Sequence, residues 1–493
     1  MPNSGSESSF DLLSELDALS RRLDPGPEDR RQSTRLVAEH VHAYLDALPD
    51  APARFDRPDG GSRIREIPVS EDGIGLEAAL DLLREHVDAV GLNPTSGRFF
   101  GYIPGGGLFT SGLGDWMAAT TNRYAGVFFA SPGAVRMENA LIRWMADLIG
   151  FPETAGGYLA AGGSLANQTA IVAAREAKGV EGAAIERSVV YLTDHAHHCI
   201  LKALGIAGLR RSVVRTVPVD ERYRMRAEAL QELLSTDREN GLTPFMIVAS
   251  AGTTNTGSVD PLDAIADLAR EYDAWYHVDA AYGGFFRLCA ETFPETADLL
   301  EAMSRADSVV MDPHKTLFVP YGTGALIVRD RRHLLDTHSM DADYMQDTRS
   351  ADHEDSPADL SPELTKHFRG LRLWLPLQAH GVAAFRAALS EKLLLARYFH
   401  RRIGELNGFE AGPEPDLSVV TFRYVPAAGD PDDFNRRLAG RLQRDGRVFL
   451  SSTQIEGRFT LRLAAVCFRS HREHVDEAID ILRETAAELE AER

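Results

Sequence analysis

Apolar residues at three- and four-residue spacing dominate the first fifty positions: Leu12, Leu16, Leu19 and Leu23, then Val37, Val41, Tyr44, Leu45 and Leu48. That spacing lays one apolar stripe along each of two helices. The "DPGPED" between them, with two prolines, predicts the turn. A third amphipathic helix is predicted over Leu76–Val90. Residues 1–95 contain no strand–helix–strand unit and read as an N-terminal helical arm that needs another surface, such as a partner subunit, to pack against.

From about residue 96 the pattern changes. Glycines and aromatics cluster in "SGRFFGYIPGGGLF", and a long helix is predicted around Ala134–Ile149. Short β-rich runs then alternate with helical ones. Strands are predicted at Val189–Leu192, Phe245–Ala249, Ala274–Val278, Ser308–Met311 and Ala325–Val328, and helices at Ala166–Lys178, Arg226–Leu234 and Leu262–Tyr272. Such alternation predicts an α/β fold, a mostly parallel sheet covered by helices on both faces. Sheets of this kind bind ligands at the carboxyl ends of their strands. Residues 330–364 are polar and acidic and read as an irregular lid or insert. Beyond Phe368 a helical segment leads to strands at Ser418–Tyr424, Val448–Ser452 and Phe459–Ala465, closed by a helix at His474–Leu489. The expected organisation is an arm over 1–95, a large domain over 96–375 and a small α/β domain over 376–493.

Composition narrows the function classes. With 493 residues, 44% of them hydrophobic, the chain is long enough for a large core. A formal net charge of −20 argues against a nucleic-acid binder, which needs clustered Lys and Arg. No apolar run approaches the length of a membrane span, and "MPNSGSESSF" lacks the basic head and apolar stretch of a secretory signal. The three cysteines, Cys199, Cys289 and Cys467, are too few and too widely spaced for a disulfide framework or a zinc cluster. The expected location is the cytoplasm. No G-x-G-x-x-G follows a strand and no G-x-x-x-x-G-K-S/T occurs, which removes the usual nucleotide sites.

Candidate chemistry sits at two predicted strand ends, "WYHVDAAYGG" and "MDPHKTLF". A lysine just past a buried strand either snorkels to the surface or serves as a nucleophile toward an aldehyde, and an apolar setting is expected to lower its pKa. That lysine is Lys315. Asp279 reads either as a turn or helix-capping residue or as a carboxylate that keeps a heterocyclic nitrogen protonated, as pyridoxal phosphate requires. The small Ala280 and Ala281 after it would let a flat ring lie close. Gly162, Gly163 and Ser164 open a predicted helix and suit a phosphate dianion, or an ordinary glycine turn with Ser164 as its cap. Of His195, His197 and His198, one could stack on an aromatic cofactor. No carboxylate or cysteine cluster completes a shell around them, so no metal site is expected.

Taken in order, "FFGYIP", "ASPGAVRMEN", "GGSLAN", "DHAH", "VDAAYGG", "DPHK" and "HFRGLRLW" resemble the group II pyridoxal-phosphate-dependent amino-acid decarboxylases, which include aromatic, glutamate, histidine and tyrosine decarboxylases. The resemblance runs from roughly Phe99 to Arg372. It implies the fold type I, aspartate aminotransferase-like architecture and a homodimer with the active site at the subunit boundary. It further implies that Lys315 binds the cofactor's aldehyde covalently and Asp279 pairs with its ring nitrogen. His197 would stack on the ring opposite Ala281, Gly163 and Ser164 would bind the phosphate, and Thr253 and His314 would line the site. Tyr344, in the acidic stretch, matches a mobile tyrosine that reprotonates the substrate α-carbon in decarboxylating members. Tyr102, Pro104, Tyr124 and Arg462 match substrate-side positions.

The sequence also departs from the family. Ser96, Gly97 and Arg98 stand where aromatic decarboxylases have His-Pro ahead of the paired phenylalanines, and Gly105, Tyr124 and Gly126 replace Thr, Ile and Phe of the substrate wall. Asp312 stands where many relatives have Asn, and a carboxylate near the phosphate would need to turn away or be hydrogen-bonded. The resemblance implies decarboxylation of an L-amino acid, aromatic by preference, to its amine and carbon dioxide. Acidic or basic substrates are alternatives, as is decarboxylation-coupled oxidative deamination to an aldehyde. Relatives of that last kind commonly carry Phe at the lid position, so Tyr344 favours the amine. A reading of different class is a non-catalytic α/β binding protein.

Overall fold

The computed structural model describes residues 4–339 and 354–492. Residues Met1–Asn93 form one unit. Its helices Ser4–Ser20 and Pro27–Ala47 meet at the predicted turn, and Pro27 opens the second helix, where its missing N–H costs nothing. The third helix is shorter than the apolar pattern predicts. It runs over Leu76–Leu83, then widens into a π-helical turn at Arg84–Asp88. The chain leaves through Gly91, whose φ of 80° suits glycine. Two short strands, β1 (Arg54–Phe55) and β2 (Gly91–Leu92), pair antiparallel.

Residues Pro94–Arg493 form the second unit. After β3 (Phe99–Phe100), seven strands build a large sheet: β4 (Gly156–Ala160), β5 (Ser188–Leu192), β6 (Val213–Thr216), β7 (Thr243–Ser250), β8 (Trp275–Asp279), β9 (Ser308–Met311) and β10 (Gly324–Val328). Their order is β4-β10-β9-β8-β7-β5-β6. The run from β9 to β6 is parallel, while β10 lies antiparallel to both β9 and β4. The α/β class and mostly parallel sheet expected from the sequence are both present. β8 and β9 are buried at every position, as strands covered on two faces must be.

Two strands of this sheet escaped the sequence reading for opposite reasons. β4 begins with two glycines, poor strand formers, and Gly157 is fixed by contact: a Cβ there would lie 1.9 Å from the Leu326 carbonyl oxygen. β6 is an edge strand, alternately half-buried and exposed, and only four residues long.

A five-stranded sheet, ordered β11-β12-β14-β13-β3, occupies the C-terminal part. Its strands are β11 (Phe409–Ala411), β12 (Val419–Tyr424), β13 (Phe449–Ile455) and β14 (Arg458–Ala464). β3 joins it in parallel with β13, where Phe99 and Phe449 stack at 5.0 Å. A separate apolar core, including Phe399, Phe434, Leu438 and Leu482, packs this sheet against its helices. The helix Arg369–Gly404 is broken by a non-helical Gly381 at φ 69°. The polar stretch predicted to be irregular over 330–364 contains a helix, Arg332–His338. Leu334 in this helix is buried. Tyr344 lies outside the described residues.

Candidate active site

The carboxyl ends of β5, β7, β8 and β9 open onto one cavity of about 500 Å³. His197 follows β5, Thr253 follows β7, Asp279 ends β8, and Lys315 sits in the helical turn Pro313–Thr316 after β9. Because β8 and β9 are adjacent and parallel, Asp279 and Lys315 are delivered to the same side of the sheet. The cavity is also lined by Gly163, Ser164, Ala281 and His314. All eight residues expected from the sequence to touch the cofactor thus converge.

Asp279 is held by a buried chain of hydrogen bonds. Its Oδ1 accepts from the Ala281 N–H at 3.1 Å and its Oδ2 from Asn167 Nδ2 at 3.2 Å. A carboxylate only accepts, so Asn167 turns its amide nitrogen toward Asp279 and its Oδ1 toward His277 Nε2, 2.7 Å away. His277 Nδ1 meets Ser308 Oγ at 2.8 Å, and Ser308 Oγ accepts from Trp275 Nε1 at 2.9 Å. Burial lowers the His277 pKa to about 4, against a weaker opposing pull from Asp279. The neutral ring therefore donates from Nε2 and accepts at Nδ1, and every proton in the chain has one place. Trp275, His277 and Asp279 alternate along β8 and so share one face.

The Lys315 end differs. Its Nζ lies 3.0 Å from Asp312 Oδ2, and Asp312 is only 1% exposed. Burial depresses the lysine pKa, but Asp312 and then Asp279 together more than offset it, and the net shift is upward. The sequence-based expectation of a lowered lysine pKa is therefore corrected: the setting is buried but not apolar. Asp312 itself is hydrogen-bonded, as its position required, although its Oδ1 is buried without a partner. A Cβ on Gly163 would lie 2.7 Å from Asp312 Oδ2, so that glycine is needed where the acid packs beneath the loop.

His314 places Nδ1 2.7 Å from the Thr323 carbonyl oxygen, which fixes Nδ1 as the donor, and burial lowers its pKa. His197 accepts the Cys199 N–H at Nδ1, 3.3 Å away. Burial lowers its pKa more than the Asp279 carboxylate raises it. Cys199 is buried against Asn167, and burial pushes its thiol up to about 12, which rules it out as a nucleophile at neutral pH. Ser164 lies inside the first turn of the helix Gly163–Ala177, with Gly162 in the cap position. The sequence had allowed Ser164 as the cap.

The substrate-side residues divide. Pro104 lines a second cavity of about 190 Å³ that shares His314 and Tyr321 with the first. Tyr102 and Tyr124 line neither cavity and are 55% and 38% exposed. Arg462 lines neither as well. It donates to the Asn255 carbonyl at 2.6 Å, to the Thr254 carbonyl and to Ser451 Oγ at 3.0 Å. Burial lowers its pKa to about 10. Gly105 and Gly126, read as parts of a substrate wall, are small for another reason. A Cβ on Gly105 would lie 2.3 Å from the Lys315 carbonyl oxygen, and one on Gly126 2.3 Å from that of Leu364.

Asn167 and His277 were missed by the sequence reading, though each left a trace. Asn167 is a polar residue on the buried alanine stripe of its helix, and His277 interrupts an apolar strand two residues before Asp279. Among the described residues no group of three or more His, Cys, Asp or Glu side chains could hold a metal ion.

A sheet-end cavity with a buried acid, a lysine and a glycine–serine helix start fits the fold type I class of pyridoxal-phosphate proteins. Comparison with known proteins agrees. The model of the pyridoxal-dependent decarboxylase conserved domain matches residues 83–425. The aromatic-L-amino-acid decarboxylase of Bacillus atrophaeus is 31% identical over 478 residues, covering 96% of this chain and 98% of that protein. Phenylacetaldehyde synthase of Arabidopsis thaliana is 29% identical, with 94% and 96% covered. The crystal structure of Oryza sativa TDC with PLP and tryptamine superposes with a TM-score of 0.88 at 28% identity, covering 94% of this chain and 99% of that one. The chain belongs to the pyridoxal-dependent decarboxylase family. It is a carboxy-lyase, and its cofactor is pyridoxal phosphate.

Proposed function

We propose that the protein converts an aromatic L-amino acid to the corresponding amine and carbon dioxide, with Lys315, Asp279, His197 and Tyr344 as its working residues. The observation that carries this reading is the convergence of Asp279 and Lys315 in one cavity beside Gly163, Ser164 and His197. The residues present fit the cofactor: a volume of about 500 Å³, a helix start for a phosphate, an anchored acid and a reachable amine. Bound pyridoxal phosphate supplies an electron sink conjugated to the substrate α-carbon.

Lys315 would hold the cofactor through its amine. Asp279, fixed through Ala281 and Asn167, stabilises positive charge at the ring nitrogen. Ser164 and the free N–H groups after Gly162 bind the phosphate. His197 and Ala281 would hold the ring between them, and Thr253 and His314 would line the cofactor site. Tyr344 returns a proton to the α-carbon, which favours an amine over an aldehyde. Pro104 bounds the substrate side, and Arg462 acts on the site through the Thr254–Asn255 backbone.

The aromatic preference is supported by relatives named aromatic-L-amino-acid decarboxylase and tryptophan decarboxylase. A carbon dioxide release screen over aromatic, acidic and basic L-amino acids tests it. Release from aromatic substrates with equimolar amine is expected, and release confined to acidic or basic ones would replace this reading. Aldehyde and ammonia in place of amine would move the protein to the synthase outcome favoured by the likeness to phenylacetaldehyde synthase.

The active form is a homodimer whose site lies at the subunit boundary, with the arm over 1–95 as a dimerisation element. Exposed apolar side chains support this: Leu12, Leu16 and Leu19 on the arm, and Leu113, Trp116 and Met117 on the helix Phe109–Thr121. Exposed Tyr102 and Tyr124 would then face a second copy. An active monomer in sedimentation velocity would remove this assignment. Among the described residues no helix is long and apolar enough to cross a membrane, and the proposed location is the cytoplasm.

A further inference from the structure

The geometry points to Asp312 as the counter-ion of the unbonded Lys315 amine: it holds that amine as an ammonium whenever the amine is not attached to the cofactor, and so sets the pH dependence of cofactor capture. The inference rests on the reading of Lys315 given above. It follows from placement. The Asp312 carboxylate is nearly inaccessible to water. Oδ2 meets Lys315 Nζ at 3.0 Å and His314 Nε2 at 3.8 Å, while Oδ1 is buried without a partner. The Asp312 N–H donates to the Ala281 carbonyl at 3.1 Å, which fixes the acid on the strand end rather than on a mobile loop.

The chemistry of capture makes this charge matter. The neutral amine of Lys315 adds to the cofactor aldehyde, a carbon–nitrogen double bond forms as the carbonyl oxygen leaves in water, and no redox change occurs. An ammonium has no lone pair for that addition and must first release its proton to solvent. The titratable groups that face Lys315 are Asp312, Asp279, Cys199, His197 and His314. Of these, Asp312 alone is in contact with Nζ and carries the opposite charge. The elements around Asp312 add the backbone of the Gly162–Gly163 turn and of Gly324, neither of which titrates. Within this cluster the amine's proton is therefore governed chiefly by one carboxylate. Asp312 is a positioning residue in this account, acting on the cofactor through Lys315.

Asp312→Asn keeps the shape and an accepting oxygen but removes the charge. Cofactor-free wild-type protein, Asp312→Asn and Lys315→Ala would each be mixed with pyridoxal phosphate from pH 6.5 to 9. Capture would be followed by the visible absorption band and by the mass of the borohydride-reduced adduct. The wild-type rate is expected to climb with pH across the range. Asp312→Asn is expected to be faster by about tenfold at each pH in the range, the effect of a shift of one pKa unit. Superimposable profiles, or slower capture by Asp312→Asn throughout, would overturn the inference. A second measurement needs no Asp312 variant. The reaction of Lys315 in wild-type apoprotein with pyridoxal, which lacks the phosphate, should show a midpoint above that of an ordinary lysine, and a midpoint below it would equally overturn the inference. A reduced adduct of the same mass in Lys315→Ala would instead overturn the assignment of Lys315.

Discussion

At the Asp279 end of the cavity five side chains hand hydrogen bonds to one another inside the core, whereas at the Lys315 end an ion pair of 3.0 Å leaves one buried oxygen unpartnered. The two ends have different tasks. On the proposed reading the acid pairs with a ring nitrogen that stays in place, and its support is neutral, interlocked and set on two strands and a helix. On the proposed reading the amine leaves Asp312 when the cofactor is first captured and then once in each turnover, as the product departs. A charge pair with spare acceptor capacity serves that task better than a closed network, because one buried carboxylate can receive the amine again without rebuilding its neighbours.

Four perturbations break or sharpen this contrast. Lys315→Ala should abolish both turnover and the visible absorption of the holoenzyme, while thermal melting of the apoprotein stays close to wild type. Asp279→Asn should retain the lysine-linked cofactor yet lose about 100-fold or more in kcat, because charge stabilisation at the ring is removed. A kcat within a few-fold of wild type would refute the role of that end. Asn167→Leu leaves Asp279 Oδ2 and His277 Nε2 without partners. Each such buried group costs about 1–3 kcal/mol, so cofactor affinity measured by fluorescence quenching should fall by about tenfold or more.

The fourth effect is on stability against pH and leaves the chemistry untouched. His277 is neutral in the fold down to about pH 4, whereas in the unfolded chain it takes up a proton near its ordinary value of about 6.5. The unfolded state thus binds more protons between those limits. The contribution is full above the unfolded value and is lost as pH falls toward the folded one, by about 3 kcal/mol at most. The urea midpoint should therefore fall between pH 7 and pH 5 in wild type and fall less in His277→Gln.

Legibility in the sequence followed the same division. Asp279, Lys315, His197 and the Gly163–Ser164 loop could be read because each lies where a buried strand or helix begins or ends, and such ends are marked by small and polar residues. Asn167 and His277 were hidden because they lie inside regular elements, where one polar residue on an apolar face looks like an isolated exception. The raised pKa of Lys315 could not be read either. "VVM" and "LFV" around the lysine suggested an apolar pocket, and only folding shows that Asp312 turns inward. Arg462, Tyr102 and Tyr124 illustrate a further limit, since matching a family position does not show whether a side chain enters the cavity within its own chain.

The clamp at Arg462 has a mechanical consequence. The arginine is rooted in β14 of the C-terminal sheet and grips the carbonyls of Thr254 and Asn255, next to Thr253 in the cavity wall. Any tilt of that small sheet is transmitted by a stiff, planar tether to the rim of the reaction chamber. Replacements far out on the C-terminal sheet should thus alter how firmly the vitamin-derived group is retained while leaving every residue that touches it in place.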